Sequence, residues 1–481
     1  MPRRSSTARF VAKLALIVIL AVAATYLLLL TDLQRVVKCR LDRIHRAGVP
    51  RTWAEAAPPD VPDNKNAVAL CLRAYDSLNW GPRDQMAVRE FMSNRPQTGG
   101  RQAYRAQVRR LLARNSSALA LIKQASTAPQ CRFAAKWPRT PYIAVDDGGF
   151  RGHLAMRGSA RLLAADAMLA AEQGDMQYAV ESCRAGVRLS ARVTSDPAII
   201  SFLVGIAMES ISLRGLQEVL QRGELTADQC RALFDELGRL DLDRTFRRAV
   251  AAEGARALWL FDAMNRGRAR RDVFRDLAVT SDYREQVAGA WDAYAGLYMS
   301  PVGKLVRLKD EITYLDLLEQ TLALTAKPDH QGAVECEAAS RKAERLPPYY
   351  LLSRWNAYLF RMAMARYRAI ALRNAMQVAM ALEAYHARFG AYPDALGRLR
   401  AYPLGAWAAA EAAESREQAP HSRGGCATWL PLDPFSGKDF SYRRQAQGFL
   451  LWSWGEDFKD DNGVPFAHYG LPGDWVWVFE R

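Results

Sequence analysis

The densest group of hard oxygen ligands in the chain is Glu456-Asp-Phe-Lys-Asp-Asp-Asn-Gly463, with Asp474 a short way beyond it. Calcium takes six to eight oxygens, mostly from carboxylates and carbonyls on one flexible loop. Asp457, Asp460, Asp461, Asn462 and Asp474 are therefore the candidate metal ligands, and calcium is the candidate ion. The spacing is not that of an EF-hand, because the terminal bidentate Glu is missing. Two other readings compete. Asp-Asn-Gly is ordinary turn chemistry in a solvated hairpin loop, and two of the carboxylates could serve as a catalytic acid–base pair.

No other segment has the spacing of a known site. His45, His153, His330, His386, His421 and His468 are far apart, and none forms His-Glu-x-x-His or a pair at helical spacing. There is no Gly-x-Ser-x-Gly elbow, phosphate-binding Gly-Lys-Ser/Thr loop or dinucleotide fingerprint. Asp146-Asp-Gly-Gly149 precedes His153 within a polar break at 128–149, which leaves room for a catalytic group assembled from distant residues. The seven cysteines (Cys39, Cys71, Cys131, Cys183, Cys230, Cys336 and Cys426) include no Cys-x-x-Cys, and no His lies at zinc spacing from any of them. Buried free thiols are the expectation, with a single bridge as the alternative if the body is outside the cytoplasm.

The elements that must position the acidic loop are short and apolar. One long helix, or two closely joined ones, over 350–389 ends at Gly390, and Tyr392-Pro393 prevents its continuation. The periodicity puts Met364, Tyr367, Ile370, Leu372, Met376, Ala379, Leu382 and Tyr385 on its apolar face. A less regular insertion at 405–425 follows, then a turn at Pro434–Gly437 and strands at 440–442, 449–454 and 475–479. In order, the chain offers Tyr385-HARFGAYP-393, Asp433-Pro-Phe-Ser-Gly437, Tyr442 and Ser453-WGEDFKDDNG-463. This combination resembles the globular domain of type II secretion pseudopilins. The resemblance implies a small α+β domain over 346–481 and a calcium loop, carried to Asp457, Asp460, Asp461, Asn462 and Asp474. It departs from the family in its anchor. A long stretch of other protein precedes the helix, and no Gly-Phe-Thr-Leu-x-Glu-like prepilin junction is present. The expectation is a borrowed module, not a filament subunit.

Upstream, residues 66–345 read as an α-helical body. Val68, Leu72, Tyr75 and Leu78, then Val108, Leu111, Leu112, Leu119 and Ile122, recur at helical steps. Residues 158–192 predict two helices joined at Gln173-Gly174-Asp175, with Ala164, Ala167, Ala171, Ala179 and Ala185 permitting close approach. The pattern weakly resembles one tetratricopeptide hairpin, but no second copy follows, so a bundle or irregular solenoid is expected. Asp196-Pro197 opens an apolar helix too short in its uncharged run to span a bilayer, and a core helix is predicted. Trp259, Phe261, Trp291, Tyr294 and Tyr298 are read as core aromatics.

At the N-terminus, Leu14–Thr31 carries no charge and would span about 27 Å as a helix. Thr31-Asp-Leu-Gln-Arg35 is a poor cleavage site, so an uncleaved signal anchor within 1–35 is preferred to a removed signal peptide. Basic residues flank both sides: Arg3, Arg4, Arg9 and Lys13 before it, and Arg35, Lys38, Arg40, Arg43, Arg46 and Arg51 after. The short basic leader favours its own end inside and the body outside. Residues 36–65 are read as a spacer ending in the Pro-rich Ala57-PPDVPD.

The net charge of +15 is spread as Arg along Ala-rich helices, a pattern of solvated helix faces that gives no nucleic-acid footprint. The sequence thus predicts a mainly α protein with a membrane anchor, a helical body and a C-terminal α+β domain. Its expected role is a non-enzymatic interaction or scaffold protein of the bacterial inner membrane, with a largely periplasmic body, protein partners, no identified small-molecule substrate and an association with secretion-type machinery. The alternative is an envelope hydrolase with a site between the helical body and the C-terminal domain.

Overall fold

The computed structural model describes residues 4–93, 100–133, 147–267, 294, 296–347, 349–356, 358–400, 430–465 and 473–480. It is mainly α-helical, with one three-stranded antiparallel sheet near the C-terminus. The insertion expected at 405–425, together with Trp291, Cys426, His421 and His468, lies outside the described residues.

A single helix, α1 (Arg4–Arg46), opens the chain. Helices α2 (Ala67–Ser77), α3 (Pro82–Phe91), α4 (Gly100–Arg114) and α5 (Ser116–Ser126) follow. They share a core with the middle of α6 (Asp147–Glu172), the last turns of α7 (Met176–Thr194) and the first half of α8 (Ile199–Leu220). Val108, Leu111, Leu112, Leu119 and Ile122 are all buried there. The buried face of α2 is centred on Ala67, Val68, Cys71 and Ala74, so Leu72, Tyr75 and Leu78 lie at its edge.

The hairpin α6–α7 turns at the expected place. Gly174 takes φ +82° and Asp175 caps α7 by accepting from the Tyr178 amide at 3.0 Å. Ala164, Ala167, Ala171, Ala179 and Ala185 are buried. Helix α8 then lies against both, so closely that a Cβ on Gly215 would sit 2.9 Å from that of Ala164. The apolar α8 is the core helix the sequence predicts, with Phe202, Met208 and Leu216 fully buried.

Helices α9 (Ala227–Gly238), capped by the reciprocal Thr226–Gln229 pair, and α10 (Leu242–Asn265) continue the body. After them come α11 (Lys304–Leu324), α12 (Asp329–Glu344), α13 (Leu351–Asn356), α14 (Tyr358–Phe389) and the short α15 (Gly397–Arg400). The expected helix-stop holds: α14 ends at Phe389 and Gly390 takes φ +70°.

The surroundings of α14 differ from the one-faced helix that periodicity implies. From Leu359 to Ala384 it is buried on nearly every side, and Leu372 and Tyr385 are partly exposed. Its Ala-rich composition admits neighbours all round. Its first half joins a core with α10, α11 and α12, and its second half joins a core with α7, α8, α9 and the sheet. Packing is therefore continuous across position 345. Where α14 crosses α8, Arg373 donates to both Glu209 oxygens (2.7 and 2.9 Å) and to the Leu240 carbonyl, and both side chains are buried.

Strands β1 (Ser441–Gln445), β2 (Gly448–Ser453) and β3 (Trp475–Glu480) form the sheet in sequence order. Phe449, Leu451, Trp477 and Phe479 cover the end of α14. The spacer expected at 36–65 takes a different form at its start. Residues 36–46 continue α1 without a break, because Val37, Leu41 and Ile44 find apolar cover on the body.

Removing one member of a buried ion pair leaves the other charge desolvated, at a cost of about 3–5 kcal/mol. Glu209→Ala is expected to lower stability by that amount in denaturant unfolding of the full chain in detergent, and Glu209→Leu combined with Arg373→Met by much less.

Candidate functional site

The acidic loop joins β2 to β3 and is bound to the helical body. Glu456 forms a two-point ion pair with Arg368 of α14. The ring of Phe458 lies 5.9 Å from that of Phe435 and 6.2 Å from His330. Phe458 takes φ +60°, a strained conformation for a bulky residue, and the packing of its ring holds it there. Asn462 and Gly463 also have positive φ, which Asn and Gly accept at lower cost.

Most of the predicted ligands are committed to the loop's own backbone. Asp474 is fully buried and accepts from the amides of Asp461 (3.2 Å) and Gly463 (2.7 Å). Asp460 Oδ1 accepts from Trp452 Nε1 at 3.0 Å and from the Asn462 amide at 2.9 Å. Asp457 Oδ1 accepts from the Lys459 amide at 3.3 Å. Burial raises the pKa of Asp474 above the ordinary carboxylate value, and the nearby charges of Asp460 and Asp461 raise it further.

The Oδ2 atoms of Asp457 and Asp461 are buried without a hydrogen-bond partner, as ligand oxygens facing a cation would be. Among the described residues, no three His, Cys, Asp or Glu side chains are grouped to hold a metal ion. Asp457, Asp460 and Asp474 thus cap amides of their own loop, while the Oδ2 atoms of Asp457 and Asp461 take no part in that capping.

Asp433 ties the remaining motifs together. Its Oδ1 accepts from the Phe435 amide and Ser453 Oγ (3.1 and 2.6 Å), and its Oδ2 accepts from the amides of Ser436 and Trp454 (3.1 and 3.3 Å). The Asp-Pro-Phe-Ser-Gly turn and the start of the Ser-Trp-Gly-Glu-Asp loop are thus one hydrogen-bonded unit. Tyr442 donates to the Pro393 carbonyl at 2.8 Å, and Tyr392 donates to Glu383 at 2.9 Å.

The histidines have structural surroundings. His330 Nδ1 meets the Phe435 carbonyl at 2.7 Å, His386 stacks on Tyr392, and His45 Nδ1 lies 3.0 Å from the Val49 carbonyl. His153 is the exception with catalytic potential. It stacks on Phe133, and its Nε2 lies 3.2 Å from Ser201 Oγ. Ser201 donates in turn to Asp196 Oδ2 at 2.7 Å, and Asp196 pairs with Arg132 at 3.6 Å. Burial raises the Asp196 pKa, while the Ser201 hydrogen bond and Arg132 oppose the shift.

The three residue types are those of a hydrolytic triad, but the order of the hydrogen bonds is not. In a triad the His accepts the Ser proton and the carboxylate orients the His. Here the fully buried Ser201 gives its proton to the carboxylate and has only a lone pair to offer His153. Sequence reasoning did not bring these residues together, since the sole signal is an Asp and a Ser flanking the start of α8. The expected Asp146–Gly149 loop lies outside the described residues at 146, and 147–149 open α6.

Among the described residues no disulfide forms. Cys39 is exposed, while Cys71, Cys131, Cys183, Cys230 and Cys336 are buried thiols. Burial raises Cys71, Cys183 and Cys336 to about 12, which keeps them protonated and unreactive. No known protein family, curated protein or solved structure matches the chain.

Two outcomes are expected from the full chain. Millimolar calcium leaves its unfolding temperature unchanged, and a rise that disappears in Asp461→Asn would show that the loop rearranges around the ion. A fluorophosphonate probe leaves Ser201 unlabelled, as read by peptide mass spectrometry against Ser201→Ala.

Proposed function

We propose that this chain is a membrane-anchored, non-enzymatic interaction or scaffold protein of the bacterial envelope, with its body on the periplasmic side. The observation that carries the reading is the division of α1 into two unlike halves. No residue of its uncharged run, Leu14–Thr31, is buried in the protein. Without interruption, its second half enters the core through Val37 and Ile44. Arg40 and Arg43 there pair with Asp316 and Glu319 of α11 at 3.1 and 3.3 Å. Leaving a long apolar surface in water is costly, and a bilayer removes that cost. A removable signal peptide needs no rigid continuation into the fold, whereas an anchor gains from one.

The non-enzymatic part of the reading is supported by the use of the candidate groups. The acidic side chains cap their own loop, and the Ser201 proton is committed to Asp196. The association with secretion-type machinery is supported by the pseudopilin-like motif set, whose members are hydrogen-bonded to one another through Asp433. The helical body supplies the surface for protein partners. The alternative, an envelope hydrolase with its site between the helical body and the C-terminal domain, draws nothing from the His153–Ser201 contact, which lies within the body.

In cells, the chain is expected to stay with the membrane pellet through alkaline carbonate extraction, and a variant lacking residues 1–31 is expected to become soluble. A mature chain that is soluble and begins after Thr31 would overturn the anchor. Added protease on intact spheroplasts tests the topology: degradation of the body supports the periplasmic side, and protection opposes it.

A further inference from the structure

The body meets α1 earlier than the end of the apolar stretch. Residues of α1 that lose exposure recur at Tyr26, Leu30, Leu33, Val37, Leu41 and Ile44, a single stripe at three- and four-residue steps. The first of them, Tyr26, donates from its hydroxyl to the Pro301 carbonyl at 2.5 Å. Tyr26 precedes Thr31, the last residue of the uncharged run, by about 7–8 Å along the helix. The Pro301 carbonyl is thus hydrogen-bonded to a residue inside the uncharged run.

The turn that carries Pro301 is apolar and rigid. Leu297 is 57% exposed and Val302 is 69% exposed. Beneath them, the buried Arg307 donates to the carbonyls of Tyr298 and Ser300. Tyr298 is buried and donates to Asp310 at 2.7 Å. Ser300 Oγ donates to the Leu297 carbonyl at 2.6 Å and accepts from the Gly303 amide at 3.2 Å. A Cβ on Gly303 would lie 2.2 Å from the Leu297 carbonyl oxygen, so the close turn requires glycine there. The turn's carbonyls are thus largely satisfied from within, as backbone entering an apolar medium requires. Lys304 follows at the start of α11, where an ammonium group can reach lipid headgroups.

We propose that the turn 297–302 is a second membrane contact, inserting Leu297 and Val302 into the headgroup–acyl boundary beside the anchor and fixing the tilt of the body on the bilayer. The occupant of this apolar surface is lipid, because the surface is continuous with the lipid-facing side of α1 and is hydrogen-bonded to it at Tyr26. The inference rests on the anchor reading above.

The test uses the full chain in phospholipid vesicles, with Cys39→Ser and Cys426→Ser removing an exposed thiol and a second potential labelling site. An environment-sensitive nitrobenzoxadiazole label is placed at Val302→Cys or, separately, at Leu297→Cys, with Leu20→Cys as the label within the span. The expected result is a blue shift at 302 and 297, loss of fluorescence to nitroxide-bearing lipids as at 20, and protection from aqueous iodide. If the label at 20 is quenched by lipid but 302 and 297 are quenched by iodide, the second contact is overturned while the anchor stands. If 302 and 297 resist both quenchers, protein covers the turn, and the lipid assignment is overturned. If the label at 20 also escapes the lipid quencher, the anchor reading fails and this inference fails with it.

Discussion

Arg373 and Glu209 meet in the interior where α14 crosses α8, and the rest of the arrangement turns on that crossing. Two charges are taken out of water there, and each of the Glu209 oxygens receives a guanidinium N–H. A third donor from Arg373 reaches the Leu240 carbonyl at the end of the α9 segment. Such a pair adds little net stability over an apolar substitute, but mispairing is severely penalised. Its effect is to fix where along α8 the long helix lies. Once that register is set, the first half of α14 falls into the core of α10–α12 and the second half against α7–α9 and the sheet. The C-terminal sheet is thereby joined to the body through the helix that both share.

The acidic loop belongs to the same frame. Arg368, a little over one turn before Arg373 on α14, receives Glu456, and Phe458 fills a place beside Phe435 and His330. The loop, with Gly455, Phe458, Asn462 and Gly463 at positive φ, is held by Glu456 and Phe458 at one end and by Asp474 at the other. The clustered oxygen ligands and the pseudopilin resemblance suggested an ion site. Asp457, Asp460 and Asp474 accept from amides of the same loop.

At the opposite end, α1 links the apolar segment to the interior as one helix. A body joined to its anchor by a flexible spacer would sample many orientations, whereas Val37, Ile44 and the Arg40–Asp316 pair remove that freedom. Any partner-binding surface on the body then stands at a set angle to the surface from which α1 projects.

The sequence by itself determined the elements that depend on local chemistry. Gly174 and Asp175 mark the α6–α7 turn, Thr226 starts α9, Gly390 stops α14, and alternating or apolar runs give the three strands. The uncharged stretch from Leu14 to Thr31 is legible in the same way. Each of these rests on neighbours within a few residues. What only the tertiary structure decided is where those elements meet. Asp433 and Ser453, Arg373 and Glu209, and Tyr26 and Pro301 are far apart in the chain, and no local pattern encodes their pairing. The same is true of the loop carboxylates. Their types advertise a cation site, but their use is settled by which backbone amides the fold buries beside them, and burial is a property of the whole packed chain.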